Sequence, residues 1–237
     1  MTSAGERPVD SWAWRGGDEN ARVVFTGKGE LSSAEDCLRE LGVDRALSYL
    51  KQVHSAIPRA AAPGFCGEGD ALWTGRRDLA LAVVTADCVP VLLAAQGRVA
   101  AVHAGWRGIA AGVVPATLRA WSTGSSGVRA WIGPAIGPCC YEVGEEVARS
   151  IADAASPRVV CRPAGRERPH LDLQEAVALQ LAASGVERVE RIGLCTRCEA
   201  GDLWSYRREG PGAGRNRALI WLREHPAPAS RASGDRP

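Results

Sequence analysis

The stretch Leu79-Ala-Leu-Ala-Val-Val-Thr-Ala-Asp-Cys-Val-Pro-Val-Leu-Leu-Ala-Ala-Gln-Gly-Arg-Val-Ala-Ala-Val-His-Ala-Gly-Trp-Arg-Gly108 decides the fold. Leu79–Val84 and Val89–Ala95 are continuous apolar runs of strand length, as expected for strands buried on both faces. Arg98–His103 is a third such run, and Gly105-Trp-Arg-Gly108 then turns the chain into an Ala/Val-rich helix of about four turns. Moving outward on the N-terminal side, Arg22–Thr26 reads as a strand and Ser33–Leu41 as a helix behind a serine cap. On the C-terminal side, Val128–Ile132 is strand-like, Gly133–Pro138 is a Gly/Pro loop, and Glu142–Ala154 has helical spacing. Asp172 caps a helix over Leu173–Ala183 that stops at Gly185. Arg188–Leu194 and Ala218–Leu222 close the series as strands. Strands and helices interleaved in this way predict an α/β layered domain with a mixed sheet.

The 237 residues suffice for one sizeable core. Residues 1–20 are polar and read as a flexible N-terminus, 21–225 as a single catalytic domain, and 226–237, rich in Pro, Ala, Ser and Arg, as a disordered tail. The formal charge of +2 is too small to imply a nucleic-acid or membrane partner. No apolar run approaches the ~20 residues of a membrane span, and the first residues lack the apolar core of a signal peptide. The expected location is therefore cytoplasmic, and the expected assembly a monomer or weak homodimer. The eight cysteines read as reduced thiols. Only Cys195-Thr-Arg-Cys198 has knuckle spacing, whereas a zinc ribbon wants two such pairs. Cys139, Cys140 and Cys195 read as buried small apolar groups.

Chemistry concentrates near the decisive stretch. Cys88 follows Asp87 where a buried strand breaks, and His103 ends the third apolar run. If their strands are neighbours, both side chains emerge at one sheet edge, where active sites of open α/β sheets form. His54 ends another strand-like run, in Gln52-Val53-His54. Two imidazoles and one thiolate form a three-ligand set with a fourth tetrahedral position open, the arrangement of a catalytic zinc site. The same atoms admit a rival use, a Cys88 nucleophile kept as thiolate by His103.

Five motifs occur in order along residues 50–222: Gln52-Val53-His54; Thr85-Ala-Asp-Cys-Val-Pro-Val91; Val102-His-Ala-Gly-Trp-Arg-Gly108; Ile132-Gly-Pro-Ala-Ile-Gly-Pro-Cys-Cys-Tyr-Glu-Val-Gly144; and Ser205-Tyr-Arg-Arg208 with Gly214-Arg215. Together they resemble the laccase-domain, or polyphenol-oxidase-like, purine nucleoside phosphorylase family of the YfiH type. The resemblance implies a single three-layer α/β/α domain with a mixed sheet, shared with cysteine hydrolases of the cytotoxic necrotizing factor type. It implies His54, Cys88 and His103 as zinc ligands, with copper as the alternative metal. It also implies phosphorolysis of adenosine, inosine and S-methyl-5'-thioadenosine, and hydrolytic deamination of adenosine. Copper-dependent phenol oxidation and thiol hydrolysis of a peptidoglycan precursor are the alternatives that relatives suggest.

The substrates so implied, a purine nucleoside and phosphate, need an anion cradle and a group able to meet charge on the departing base. Asp87, beside Cys88, is the candidate for proton transfer or for orienting a ligand. Arginine is the natural phosphate partner, which selects Arg107, Arg207 and Arg208, with Arg215 in the same C-terminal motif. Trp106 and Trp204 are more readily read as core residues than as purine platforms. The sequence departs from the family before residue 50. Phe25-Thr-Gly-Lys-Gly29 is a reduced echo of a Phe-Ser-Thr-Arg-x-Gly-Gly stretch, with Lys28 in the arginine's place. The Asn-Arg pair that can supply a phosphate-contacting arginine reads Ser33-Ala34 here, so phosphate binding is expected to use another cation or to be impaired, with poor phosphorolysis.

Overall fold

The computed structural model describes residues 13–29, 33–121 and 127–224. Its β layer consists of two six-stranded mixed sheets. The first contains, in spatial order, β1 (Ala13–Gly17), β2 (Ala21–Thr26), β14 (Asn216–Leu222), β7 (Leu79–Thr85), β3 (Ala46–Lys51) and β5 (Gly64–Glu68). The second runs β13 (Arg188–Arg191), β10 (Arg129–Ile132), β8 (Val89–Ala95), β9 (Arg98–Ala104), β6 (Ala71–Thr74) and β4 (Pro58–Ala60). A two-stranded ribbon joins β11 (Val160–Cys161) to β12 (His170–Leu171).

The apolar runs have their physical reason in this stacking. Val23, Phe25, Leu81, Val83 and Ile220 of the first sheet meet Leu72, Leu92, Val99, Ala101 and Trp131 of the second in one buried cluster. The outer face of the first sheet is covered by α1 (Ala34–Glu40), through Cys37 and Leu38 against Ala80, Ala82, Leu219 and Trp221. The outer face of the second is covered by α2 (Trp106–Ala110), α3 (Val113–Ala120), α4 (Glu145–Ala154) and α5 (Leu173–Ala183). A last short helix, α6 (Tyr206–Glu209), precedes β14. β7 and β8 are thus apolar on both faces because each face meets another layer. The α/β class and the outer helix layers follow the expectation. The middle layer is doubled, and the chain steps from one sheet to the other between β7 and β8, at residues 86–88.

Local chemistry accounts for most boundaries. Ser33 caps α1 by accepting from the Asp36 amide, and Asp172 caps α5 by accepting from the Glu175 amide. Gly185, at φ +80°, ends the α5 turn. Three expectations need correction. The four-turn helix after Gly105 is instead two short helices, because Gly112 takes φ +77° and α-helical geometry cannot continue through it. The helix expected from Glu142 begins at Glu145, since Glu142 is held in a bridge with His170 and Gly144 serves as the cap. Residues 13–17, within the stretch expected to be flexible, form an edge strand: β1 pairs with β2 in a hairpin, and Trp14 packs 5.7 Å from the Phe25 ring. The first twelve residues and the tail expected at 226–237 lie outside the described residues.

Candidate metal centre

All three residues of the expected ligand set lie where the chain crosses between, or ends at, the edges of the two sheets. His54 is on the crossing from β3 to β4, Cys88 is on the crossing from β7 to β8, and His103 is near the end of β9. Because β8 and β9 pair antiparallel with Pro90 opposite His103, Cys88 and His103 are brought to one edge. The His54 Nε2 lies 3.8 Å from the Cys88 Sγ, and the two imidazole rings meet edge-on at 4.9 Å. One donor atom from each of the three residues falls within 4.8 Å of the others.

The buried carboxylate of Asp70 organises this convergence. It sits directly ahead of β6, fully shielded from solvent, and accepts from the backbone amides of Val53, His54 and Ser55 and from the Ser55 hydroxyl. These bonds hold His54 in the left-handed region, at φ +59°, a conformation uncommon for any residue but glycine. Asp70 Oδ1 also lies 2.8 Å from His103 Nδ1, which leaves Nε2 to face the centre. Burial alone would raise the Asp70 pKa, but the bonds from His103 and Ser55 bring it down to about 2.

The donors are electrostatically coupled. Burial works to raise the Cys88 pKa, yet hydrogen bonds with His103 and His54 lower it to about 7. Burial works to lower that of His103, yet Asp70 and Cys88 raise it to about 9. The same contacts thus favour the thiolate of Cys88 and the protonated ring of His103, so a cation bound by the two would compete with protons. Gly105 supplies a second sign of fit. A Cβ there would lie 2.8 Å from the His54 ring and 3.1 Å from the Cys88 sulfur, so only glycine lets the backbone close over the three donors. Two imidazoles and a thiolate suit zinc, and also copper.

A pocket of about 600 Å³ opens onto the centre, a size suited to a small organic ligand. Its walls include Asp87, Trp106, Arg107, Tyr141, Tyr206, Arg207 and Arg215. Arg107 stacks on Trp106 at 4.4 Å, and Arg207 lies 5.2 Å from the Tyr141 ring while donating to the Glu142 carbonyl. Asp87 adopts φ +94° at the corner between the sheets. Its two oxygens accept from the Thr196 hydroxyl (2.6 Å) and the Arg207 amide (2.7 Å), which ties three distant segments together and favours orientation over proton transfer.

Two expected anion contacts are placed elsewhere. Lys28 donates to Glu209 and to the Ala200 carbonyl and lies over the Trp204 ring. Arg208 donates to the carbonyls of Thr196, Arg197 and Leu203 and to Glu209. Both guanidinium and ammonium groups are consumed in bracing the 196–209 loop, and neither lines the pocket. Trp106 lines the pocket, whereas Trp204 packs over Gly214. Asp70, Thr196, Tyr141 and Tyr206 were not singled out by the sequence. Tyr141 stands within the Cys-Cys-Tyr-Glu-Val-Gly motif and could have been found there. Asp70 had only a weak signal, an acidic residue directly ahead of an apolar strand.

The model of the family described as multi-copper polyphenol oxidoreductase laccase matches residues 30–223. The purine nucleoside phosphorylase PA4543 of Pseudomonas aeruginosa is 35% identical, covering 87% of this chain and 84% of its own length. The purine nucleoside phosphorylase SCO2081 of Streptomyces coelicolor is 40% identical, covering 81% of each. Among solved structures, YlmD of Geobacillus stearothermophilus superposes with a TM-score of 0.76 at 28% identity, covering 86% of this chain and 92% of that one.

Proposed function

The chain belongs to the multi-copper polyphenol oxidoreductase laccase family, and from that premise we propose that it is a zinc-dependent purine nucleoside phosphorylase that also deaminates adenosine. The observation that carries this reading is the convergence of His54, Cys88 and His103 at the floor of a nucleoside-sized pocket. Relatives named purine nucleoside phosphorylases support the substrate class.

In phosphorolysis a phosphate oxygen forms a bond to the ribose C1', the C1'–N9 bond breaks, and its electron pair leaves with the purine. A proton taken up by the purine completes the products, free base and ribose 1-phosphate. Hydrolytic deamination replaces the 6-amino group of adenosine with the oxygen of water and releases ammonia. Zinc held by the three residues supplies a Lewis acid to either reaction. The rest falls to the pocket walls. Arg107, Arg207 and Arg215 supply positive charge for phosphate, and Trp106, Tyr141 and Tyr206 supply flat faces for purine and ribose. Asp70 keeps His103 in the tautomer that presents Nε2 to the centre. Adenosine, inosine and S-methyl-5'-thioadenosine are the nucleosides assigned. A reducing compartment, the cytoplasm, suits a chain whose eight cysteines are free, and the working assembly assigned is a monomer or weak homodimer.

The test is a zinc-loaded preparation given adenosine or inosine with phosphate. Phosphate-dependent release of adenine or hypoxanthine, ammonia release from adenosine, and loss of both in Cys88→Ala are expected. Neither free base nor inosine from adenosine would refute the proposal. Copper-dependent phenol oxidation has the family's description in its favour, and two imidazoles with a thiolate can hold copper. Against it, the described residues form only one histidine-containing donor cluster, whereas a multicopper relay needs several. Oxygen uptake with a phenol, tracking copper content, would favour that second reading.

A further inference from the structure

A second donor cluster lies outside the pocket. Cys139 and Cys140 stand on the loop after β10, and Cys195 and Cys198 on the loop after β13. The two strands are parallel neighbours, so both loops leave the second sheet at the same end, and an Ala135–Cys195 bridge extends their pairing. The Cys198 and Glu199 amides both donate to the Cys195 carbonyl, folding Cys195-Thr-Arg-Cys198 into a tight knuckle with its two sulfurs on one side. On the opposing loop the Cys140 amide donates to the Gly137 carbonyl.

The sulfurs of these four residues lie within 4.8 Å of one another. Cys198 Sγ is 3.6 Å from that of Cys139 and 3.5 Å from that of Cys140. A tetrahedral zinc with Zn–S bonds of about 2.3 Å requires sulfur–sulfur edges of about 3.8 Å, inside that range. Gly137 lies directly against the cluster: its amide donates to Cys195 Sγ at 3.2 Å, a bond that favours a thiolate. A Cβ at this glycine would lie 3.3 Å from the Cys139 sulfur.

We propose that Cys139, Cys140, Cys195 and Cys198 bind a second zinc ion, distinct from the one assigned to the pocket. Four thiolates at tetrahedral spacing suit a single soft ion such as zinc and close its coordination, so this site is structural. What it secures is the pocket wall. Thr196, inside the knuckle, donates to Asp87, the neighbour of Cys88, and Tyr141, next to Cys140, lines the pocket. Cys139, Cys140 and Cys195 are therefore not the buried apolar groups expected from the sequence: Cys139 is exposed, and Cys140 and Cys195 are half-buried. One knuckle suffices because an adjacent Cys-Cys pair provides the other half.

Zinc content per chain and cobalt-substituted absorption spectra, measured on wild-type, Cys88→Ala and Cys198→Ser protein, decide the matter. Cys88→Ala leaves the four thiols intact. It is expected to retain zinc, to show the intense sulfur-to-cobalt charge transfer of a tetrathiolate site, and to unfold at lower temperature after chelation. Cys198→Ser is expected to carry one equivalent less zinc than wild type. Metal-free Cys88→Ala with four freely alkylated thiols would overturn the proposal, and so would a disulfide among these cysteines found by mass spectrometry in protein purified anaerobically. The Cys88→Ala result stands even if Cys198→Ser fails to fold, and it does not depend on whether the pocket site is catalytic.

Discussion

Asp70 receives three consecutive backbone amides and one imidazole, so it sets both the strained turn at His54 and the tautomer of His103. Asp70→Asn is expected to weaken zinc binding roughly 10–100-fold, the usual cost of losing such a partner, as read by competition with a chromogenic chelator. The sign of its pH effect follows from its depressed pKa. With a value of about 2 in the fold against an ordinary 3.8, Asp70 stabilises the native state fully above 3.8 and loses that contribution as pH falls towards 2. The amount is on the order of 2 kcal/mol, so metal-free wild type should lose stability over this acid range more steeply than Asp70→Asn in urea titrations. Gly105→Ala tests steric fit instead: its methyl meets the His54 ring and the Cys88 sulfur, and zinc retention should be lost while far-UV circular dichroism stays native. At this scale the sequence was informative about donors and uninformative about their supports. His54, Cys88 and His103 stand in motifs, but Asp70 reveals itself only through bonds to residues 15 to 33 positions away.

At the scale of elements, local chemistry was legible wherever it was self-contained. Asp172 and Gly185 bracket α5 by capping and by a positive φ, both written in residue type. Asp172→Ala should lower stability by about 1 kcal/mol, measured by chemical denaturation, with no change in metal content. The apolar runs of β7, β8 and β9 were equally plain. Short edge strands such as β4 and β5 were not, because Pro58–Ala60 and Gly64–Glu68 carry little apolar pattern and are held by pairing with stronger neighbours. Nor could the loop roles of Lys28 and Arg208 be read. Each cation found a carbonyl or carboxylate on the 196–209 loop, and the long-range partner decided its task. Thr196→Val would remove the hydroxyl that holds Asp87. A drop in kcat with near-normal zinc content is expected if Asp87 acts by orientation.

For the molecule as a whole, the doubled sheet explains why the centre lies where it does. A chain stepping from one sheet to another must expose a short corner, and the corners at 52–57 and 86–88 bring their residues to the edge where β9 ends. Stacking of two sheets was hidden from the sequence, since a strand buried against a helix and one buried against a second sheet have the same apolar pattern. The coupled donors add a pH signature. The Cys88 pKa is held down to about 7 and that of His103 up to about 9 by their mutual contact and by Asp70, so a cation competes with protons, and apparent zinc affinity should fall as pH drops below about 9 and more steeply below about 7. Anomalous diffraction recorded on either side of the zinc absorption edge tests the central claim most directly. A peak bounded by His54 Nε2, Cys88 Sγ and His103 Nε2 is predicted in crystals of protein that phosphorolyses adenosine. Active crystals with no anomalous density between those three side chains would contradict it.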